Sequence, residues 1–157
     1  MIVVADTSPI NYLILIGAID VLPALYQKIV VPTAVYSELQ SDATPAEVRA
    51  WMEKPPEWFE VLPVTILLDE ALQNLDEGEK QAIALYEETN ADALIIDERA
   101  GREEARKRNI FIIGTLGILN SAAQKSLLDL PDALEKLQQT SFRASEKLIA
   151  DLLKLNA

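Results

Sequence analysis

Two short apolar runs that each end in an aspartate constrain this chain more than any other feature. Ile2-Val-Val-Ala leads into Asp6, and Ala93-Leu-Ile-Ile leads into Asp97. Such runs, rich in β-formers and without polar alternation, read as short strands buried on both faces. After Asp6 come Thr7, Ser8 and Pro9: a hydroxyl can cap a helix and proline suits its first turn. Lys28 to Val31, Trp58 to Val64 and Ile110 to Ile113 read as further strands, the second of them at an edge because it contains Pro63. Helical spacing fills the intervals: Pro9–Ile19, the segment after Pro32, Pro45–Glu53, Thr65–Asn74, Glu77–Glu88, Glu98–Asn109 and Thr115–Lys125. Two helical stretches follow. Pro131 starts one; Ser145 caps the other, in which Leu148, Leu152 and Leu155 recur as core or as a self-association face.

Strands alternating with helices predict an α/β chain, with a mostly parallel sheet covered on both faces as a three-layer α/β/α sandwich. At 157 residues the expectation is one domain, 1–157, with residues from about 126 onward as a helical C-terminal extension.

Composition removes several chemistries. The chain contains no cysteine and no histidine. Disulfides, thiolate metal sites, histidine-ligated zinc and Ser-His-Asp catalysis are excluded. Oxygen ligands favour hard cations such as Mg²⁺ or Mn²⁺. No apolar run is long enough to cross a membrane, and the opening strand is too short for a signal-peptide core, so the expected compartment is the cytoplasm. The net charge of −11 argues against a generic nucleic-acid binder, yet five of the 14 basic residues fall between Arg99 and Arg108.

In a parallel sheet, Asp6 and Asp97 end on the same edge and can face one crevice. Each could instead serve only as a helix cap. Glu38 sits on the helix after the second strand, beside Val35 and Leu39. Glu79 lies in a helical first turn, where acids ordinarily favour the dipole, and Glu77 is hardly distinguishable from it. Two unit charges about 4 Å apart repel by ~1 kcal/mol in water and ~4 kcal/mol at an effective dielectric of about 20. Convergence of Asp6, Glu38, Glu79 and Asp97 therefore calls for protons or a divalent cation, which could hold a phosphodiester and activate water.

Four segments carry a resemblance. They are Ile-Val-Val-Ala-Asp-Thr-Ser-Pro at Asp6, Val-Pro-Thr-Ala-Val-Tyr-Ser-Glu at Glu38, Leu-Asp-Glu-Gly-Glu-Lys-Gln-Ala-Ile at Glu79 and Leu-Ile-Ile-Asp-Glu-Arg-Ala-Gly-Arg at Asp97. In this order they resemble the PIN-domain ribonucleases, and Ile112 to Gly117 is similar to a prokaryotic, toxin-like branch of that family. The resemblance spans roughly residues 1–125. It implies a compact α/β/α sandwich and Mg²⁺- or Mn²⁺-dependent cleavage of RNA. It also implies a small antitoxin protein as partner and a homodimer. Carried over, Asp6 and Glu79 would be the principal metal ligands, with Glu38 and Asp97 completing the set directly or through water. Ser8 would be the hydroxyl that hydrogen-bonds near the first aspartate. The third acid of toxin-type members is usually aspartate; here it is Glu79.

Of the basic run, Arg102 is expected near the site, where it could bind phosphate oxygens. The alternative for the run is a solvated face, with Glu98 pairing Arg102 and Glu103 pairing Lys107, and that is the reading for the residues other than Arg102. Two rival functions remain open. One is phosphoryl transfer through an aspartyl intermediate on Asp6; the other is a catalytically weak binding or regulatory module.

Overall fold

A computed structural model of the chain describes residues 1–156. Its frame is a sheet of β1 (Val3–Ala5), β2 (Ile29–Pro32), β3 (Phe59–Leu62), β4 (Ala93–Ile95) and β5 (Ile112–Ile113). All neighbours are parallel, in the order β3-β2-β1-β4-β5. Every residue of β1, β2 and β4 is buried, which is why their sequences show no polar alternation.

The connecting helices are α1 (Thr7–Leu15), α2 (Val21–Tyr26), α3 (Thr33–Leu39), α4 (Ala46–Glu53), α5 (Glu77–Thr89), α6 (Arg99–Lys107) and α7 (Thr115–Gln124). After them come α8 (Leu130–Gln138) and α9 (Glu146–Leu155). Alternate strand residues serve two cores. Val3, Ala5, Ala93 and Ile95 pack with Ile10 and Leu13 of α1, Val35 of α3, Leu119 of α7 and Leu134 of α8. Val4, Leu94 and Ile96 face Ile83 and Leu85 of α5 and Ala105 of α6 on the other side. The result is the expected three-layer α/β/α sandwich.

Strand order reverses between β1 and β4. From β1 the chain runs outward to β2 and β3, then returns to lay β4 and β5 on β1's other side. Open α/β sheets bind ligands in the crevice outside the carboxyl ends at such a switch point. Asp6 and Asp97 follow the two strands that flank it.

Some elements depart from the sequence expectation. Residues 65–74 are irregular chain with one 3₁₀ turn at Glu70–Leu72, where a helix was expected. Ile66, Leu67 and Leu68 are exposed, so a helix there would have no apolar face to bury, and isolated short helices are marginal. The Thr65 amide and hydroxyl donate to Glu88 of α5, which ties the segment to that helix. In α9, Ser145 caps as expected, accepting the Leu148 amide at 3.0 Å. Leu148 and Leu155 face outward, and Ile149 is the residue that enters the core.

Helix α8 buries Leu130, Ala133, Leu134 and Leu137 in the same core as the sheet. Leu134→Ala should therefore lower the stability of the whole chain by about 2–5 kcal/mol. Urea unfolding followed by circular dichroism should show one cooperative transition shifted to lower denaturant. A separate early transition would mean that α8 unfolds alone.

Candidate functional site

Asp6 occupies the N-cap position of α1, yet its side chain accepts no capping hydrogen bond. It is 3% exposed, and its Oδ1 is shut from solvent with no hydrogen-bond partner among the described residues. The cap reading of Asp6 thus has no bond to support it. The neighbouring hydroxyl that works is Thr7, which donates to Glu38 Oε2. Ser8, expected to bond near Asp6, makes no side-chain hydrogen bond among the described residues and lines an adjoining groove instead.

The second half of the site comes from α5. Asp76 caps this helix by accepting the Glu79 amide at 2.8 Å. Asp-x-x-Glu is a capping-box spacing, in which the glutamate ordinarily bonds back to the cap residue's amide. Glu79 turns inward instead. It is 6% exposed, and its Oε2 has no hydrogen-bond partner among the described residues. A Cβ on Gly101 of α6 would fall 3.0 Å from that oxygen and 2.5 Å from Ile96 Cδ1, so α6 closes over Glu79 only because residue 101 has no side chain. Glu77 points outward, 3.8 Å from Lys80, which separates the two glutamates that the sequence left ambiguous.

Glu38 fixes the geometry of both carboxylates. From α3 it accepts the Thr7 hydroxyl at the start of α1 and the Gly78 amide at the start of α5, the latter at 3.1 Å. A Cβ on Gly78 would lie 2.8 Å from both Glu38 oxygens, so only glycine lets the carboxylate reach the amide. Glu38 is thus a clamp between the two helix starts that carry Asp6 and Glu79.

Asp97 stands apart from this pair, and the strand register explains why. Ala5 pairs with Ile95, and the Asp6 amide donates to Ile95 O at 2.9 Å. Asp6 is therefore level with Ile96, one residue short of Asp97. Side chains alternate along a strand, so this offset sends the two aspartates to opposite faces. Asp6 follows the α5 face; Asp97 follows the α7 face, where its Oδ1 accepts the Thr115 amide at 2.8 Å and its Oδ2 the Thr115 hydroxyl at 2.6 Å. Arg102 lies near it, as expected: Arg102 Nη1 and Asp97 Oδ1 both rest against Gly114. Among the described residues no three Asp or Glu side chains are arranged as a ready ligand set.

Two further acids act on the centre. Burial pushes the Asp6 carboxyl up to about 7, against the Thr7 amide, and the charges on Asp76, Glu38 and Glu98 add to the rise. Glu79 is pushed up to about 8, first by burial, then by the Asp76 carboxylate beside it, then by the charges of Asp6 and Glu98. Burial also raises Asp97, opposed by its two bonds from Thr115 and by Arg102. Asp76 and Glu98 did not stand out in the sequence. The capping-box spacing before Glu79 was the available signal for Asp76; Glu98, an exposed acid beside Asp97, offered none.

The basic run also differs from expectation. Arg99 pairs with Glu103 at 3.1 Å, in place of the Glu98–Arg102 and Glu103–Lys107 pairs. Arg108 is tied to Glu104, Glu87 and Asp69, each at 2.8 Å, and so fastens the 65–72 segment to α5 and α6.

A family model for DUF3368, described as a PIN domain, matches residues 2–157. The chain belongs to the PIN-domain family. Among solved structures it is similar to a PilT N-terminus domain protein from the hyperthermophilic archaeon Sulfolobus solfataricus, with a TM-score of 0.52 and 14% identity over 92% of this chain and 100% of that one. At that identity the likeness concerns the fold. No curated protein matches the sequence. PIN domains are generally nucleases and typically use divalent metals, and the donor set here agrees: two buried carboxylate oxygens without partners and no nitrogen or sulfur ligand.

The raised pKa values set the sign of the pH dependence. An acid whose folded pKa exceeds its unfolded value of about 4 keeps its proton longer in the folded state. The associated stability is complete below about pH 4 and is lost as pH rises through about 7 for Asp6 and about 8 for Glu79. In EDTA the chain should therefore lose stability between about pH 5 and pH 8. Asp6→Asn should flatten that decline and exceed the wild type at about pH 8 by roughly 1 kcal/mol or more. Parallel pH profiles for the two proteins in urea titrations would show that Asp6 is not held protonated.

Proposed function

We propose that this PIN-domain protein is a Mg²⁺- or Mn²⁺-dependent endoribonuclease. The observation that supports it best is the buried pair of unpartnered oxygens, Asp6 Oδ1 and Glu79 Oε2, at the switch point of the sheet. Burying two carboxylates together is costly unless a proton or a cation joins them. Asp6 and Glu79 would hold the ion, and Asp97, with one lone pair left on each oxygen, would support it through water. A bound Mg²⁺ or Mn²⁺ would neutralise phosphodiester charge and lower the pKa of an attacking water. Glu38 keeps the two ligands in place by joining the starts of α1 and α5. Asp76 and Glu98 add negative charge, which strengthens the pair's hold on any positive charge, proton or metal ion. The role as toxin of a toxin–antitoxin pair, with a small antitoxin protein and a homodimer, belongs to the same proposal and rests on the sequence resemblance.

Purified protein should cleave single-stranded RNA with Mn²⁺ or Mg²⁺ and be silent in EDTA. Asp6→Asn and Glu79→Gln should each lower the rate by about 100-fold or more, since each removes a ligand. Asp97→Asn should weaken Mn²⁺ binding, read by calorimetry, by only about 10-fold, as expected of an outer partner. Undiminished cleavage by Asp6→Asn, or cleavage in EDTA, would overturn the proposal.

A further inference from the structure

Beyond the acidic pair, a groove of about 990 Å³ leads away from Asp97 and Glu98. One wall is β5 and α7; the opposite wall is the segment joining α8 to α9, which rests on α1. Tyr12 of α1 holds that segment: its ring meets Phe142 edge-on at 5.2 Å, and its hydroxyl is 3.0 Å from Ser141 Oγ.

The lining combines positive charge with aromatic faces. Arg102 and Arg143 form no ion pair with a carboxylate among the described residues, although the chain carries a net charge of −11. Arg143 is positioned by donating to the carbonyls of Thr140 and Phe142 at 3.3 and 3.2 Å. Phe111 is 64% exposed, at the foot of β5. Its carbonyl accepts the Leu94 amide at 2.9 Å, so the backbone beneath the ring is fixed to the sheet. Folding gives no reason to leave this ring in water.

We infer that this groove is the track for single-stranded RNA, with Arg102 and Arg143 on backbone phosphates and Phe111 stacking an unpaired base, so that the strand runs on past Glu98 to the metal pair. The inference rests on the nuclease reading of that pair and adds to it where the strand lies. Charge complementarity selects the occupant: two guanidiniums without an ion-pair partner among the described residues suit a polyanion, and the exposed Phe111 ring suits a splayed base. A duplex keeps its bases stacked and cannot offer them to Phe111. Arg102 is the more central cation because it sits beside Asp97, whose oxygens Thr115 already occupies.

The test is fluorescence anisotropy of the full chain with a short labelled oligouridylate in EDTA, so that binding is read without cleavage. Each single-strand phosphate contact contributes a slope of about 0.7 to the dependence of log affinity on log salt. Arg102→Ala with Arg143→Ala should lower that slope by about 1.4. Phe111→Ala should weaken binding roughly 10-fold with the slope unchanged. Lys136→Ala, away from the groove, should change neither, and thermal melts should show all variants folded. A blunt duplex of the same length should bind more weakly than the single strand. Wild-type affinity and slope in the groove variants, or a preference for duplex, would overturn the track. Slope loss without any Mn²⁺-dependent cleavage by the wild type would keep the track and reject the nuclease reading. Mn²⁺-dependent cleavage with unaltered binding by the groove variants would do the reverse.

Discussion

Two buried carboxylates, each with an oxygen that has no hydrogen-bond partner among the described residues, are the constraint around which this fold is arranged. Asp6 and Glu79 are almost fully shut from water, and burial raises the pKa of both. Folding alone would select against such a pair, because removing a charge from water without a partner is among the costliest things a core can do. The surroundings reinforce it. Asp76 and Glu98 bring more negative charge, Glu38 locks the helix starts that carry the pair, and two glycines make way for the glutamates. Neighbours that sharpen a repulsion and hold it in fixed geometry are what the proposed cation site requires.

The sheet supplies the location. Strand order reverses between β1 and β4, and the crevice at that reversal receives Asp6, directly after β1, and Asp97, two residues past the end of β4. Register then divides labour between the two aspartates. One residue of offset turns Asp6 toward α5 and its glutamate, and Asp97 toward α7 and Thr115. The first keeps an oxygen without a partner among the described residues, as the proposed ligand. The second becomes the post that anchors α7 at the mouth of the groove, with Arg102 beside it. A single acidic set read from the sequence is thus an inner pair and an outer support.

Much of this was legible in the residues. The strands announced themselves because burial on both faces leaves no polar alternation, and the positions of Pro9, Pro45 and Pro131 marked helix starts. The four acids could be picked out because each sits where α/β sheets place chemistry or at a spacing the family shares. What could not be read depends on three-dimensional proximity. Periodicity places Asp6 and Asp97 on one sheet edge but does not give the register that separates their side chains. Glu38 reads as an acid near an apolar face, with nothing to reveal that Gly78 and Thr7 would take both its oxygens. The segment at 65–74 has helical spacing, but Ile66, Leu67 and Leu68 stay exposed and only Leu72 enters the core, while Glu88 and Arg108 tie the segment to α5 and α6. Arg143 and Phe111, far apart in the chain and without a motif, meet in the groove only after α8 and α9 fold back over α1.

The most direct measurement is a crystal structure of the protein soaked in Mn²⁺, with the ion located by its anomalous scattering. The expected result is a peak bonded to Asp6 Oδ1 and Glu79 Oε2 at about 2.1 Å, completed by water and with Asp97 in the outer shell. A map with no manganese between Asp6 and Glu79, their carboxyls sharing a proton at a pH above about 8, would contradict the claim that this pair exists to hold a metal.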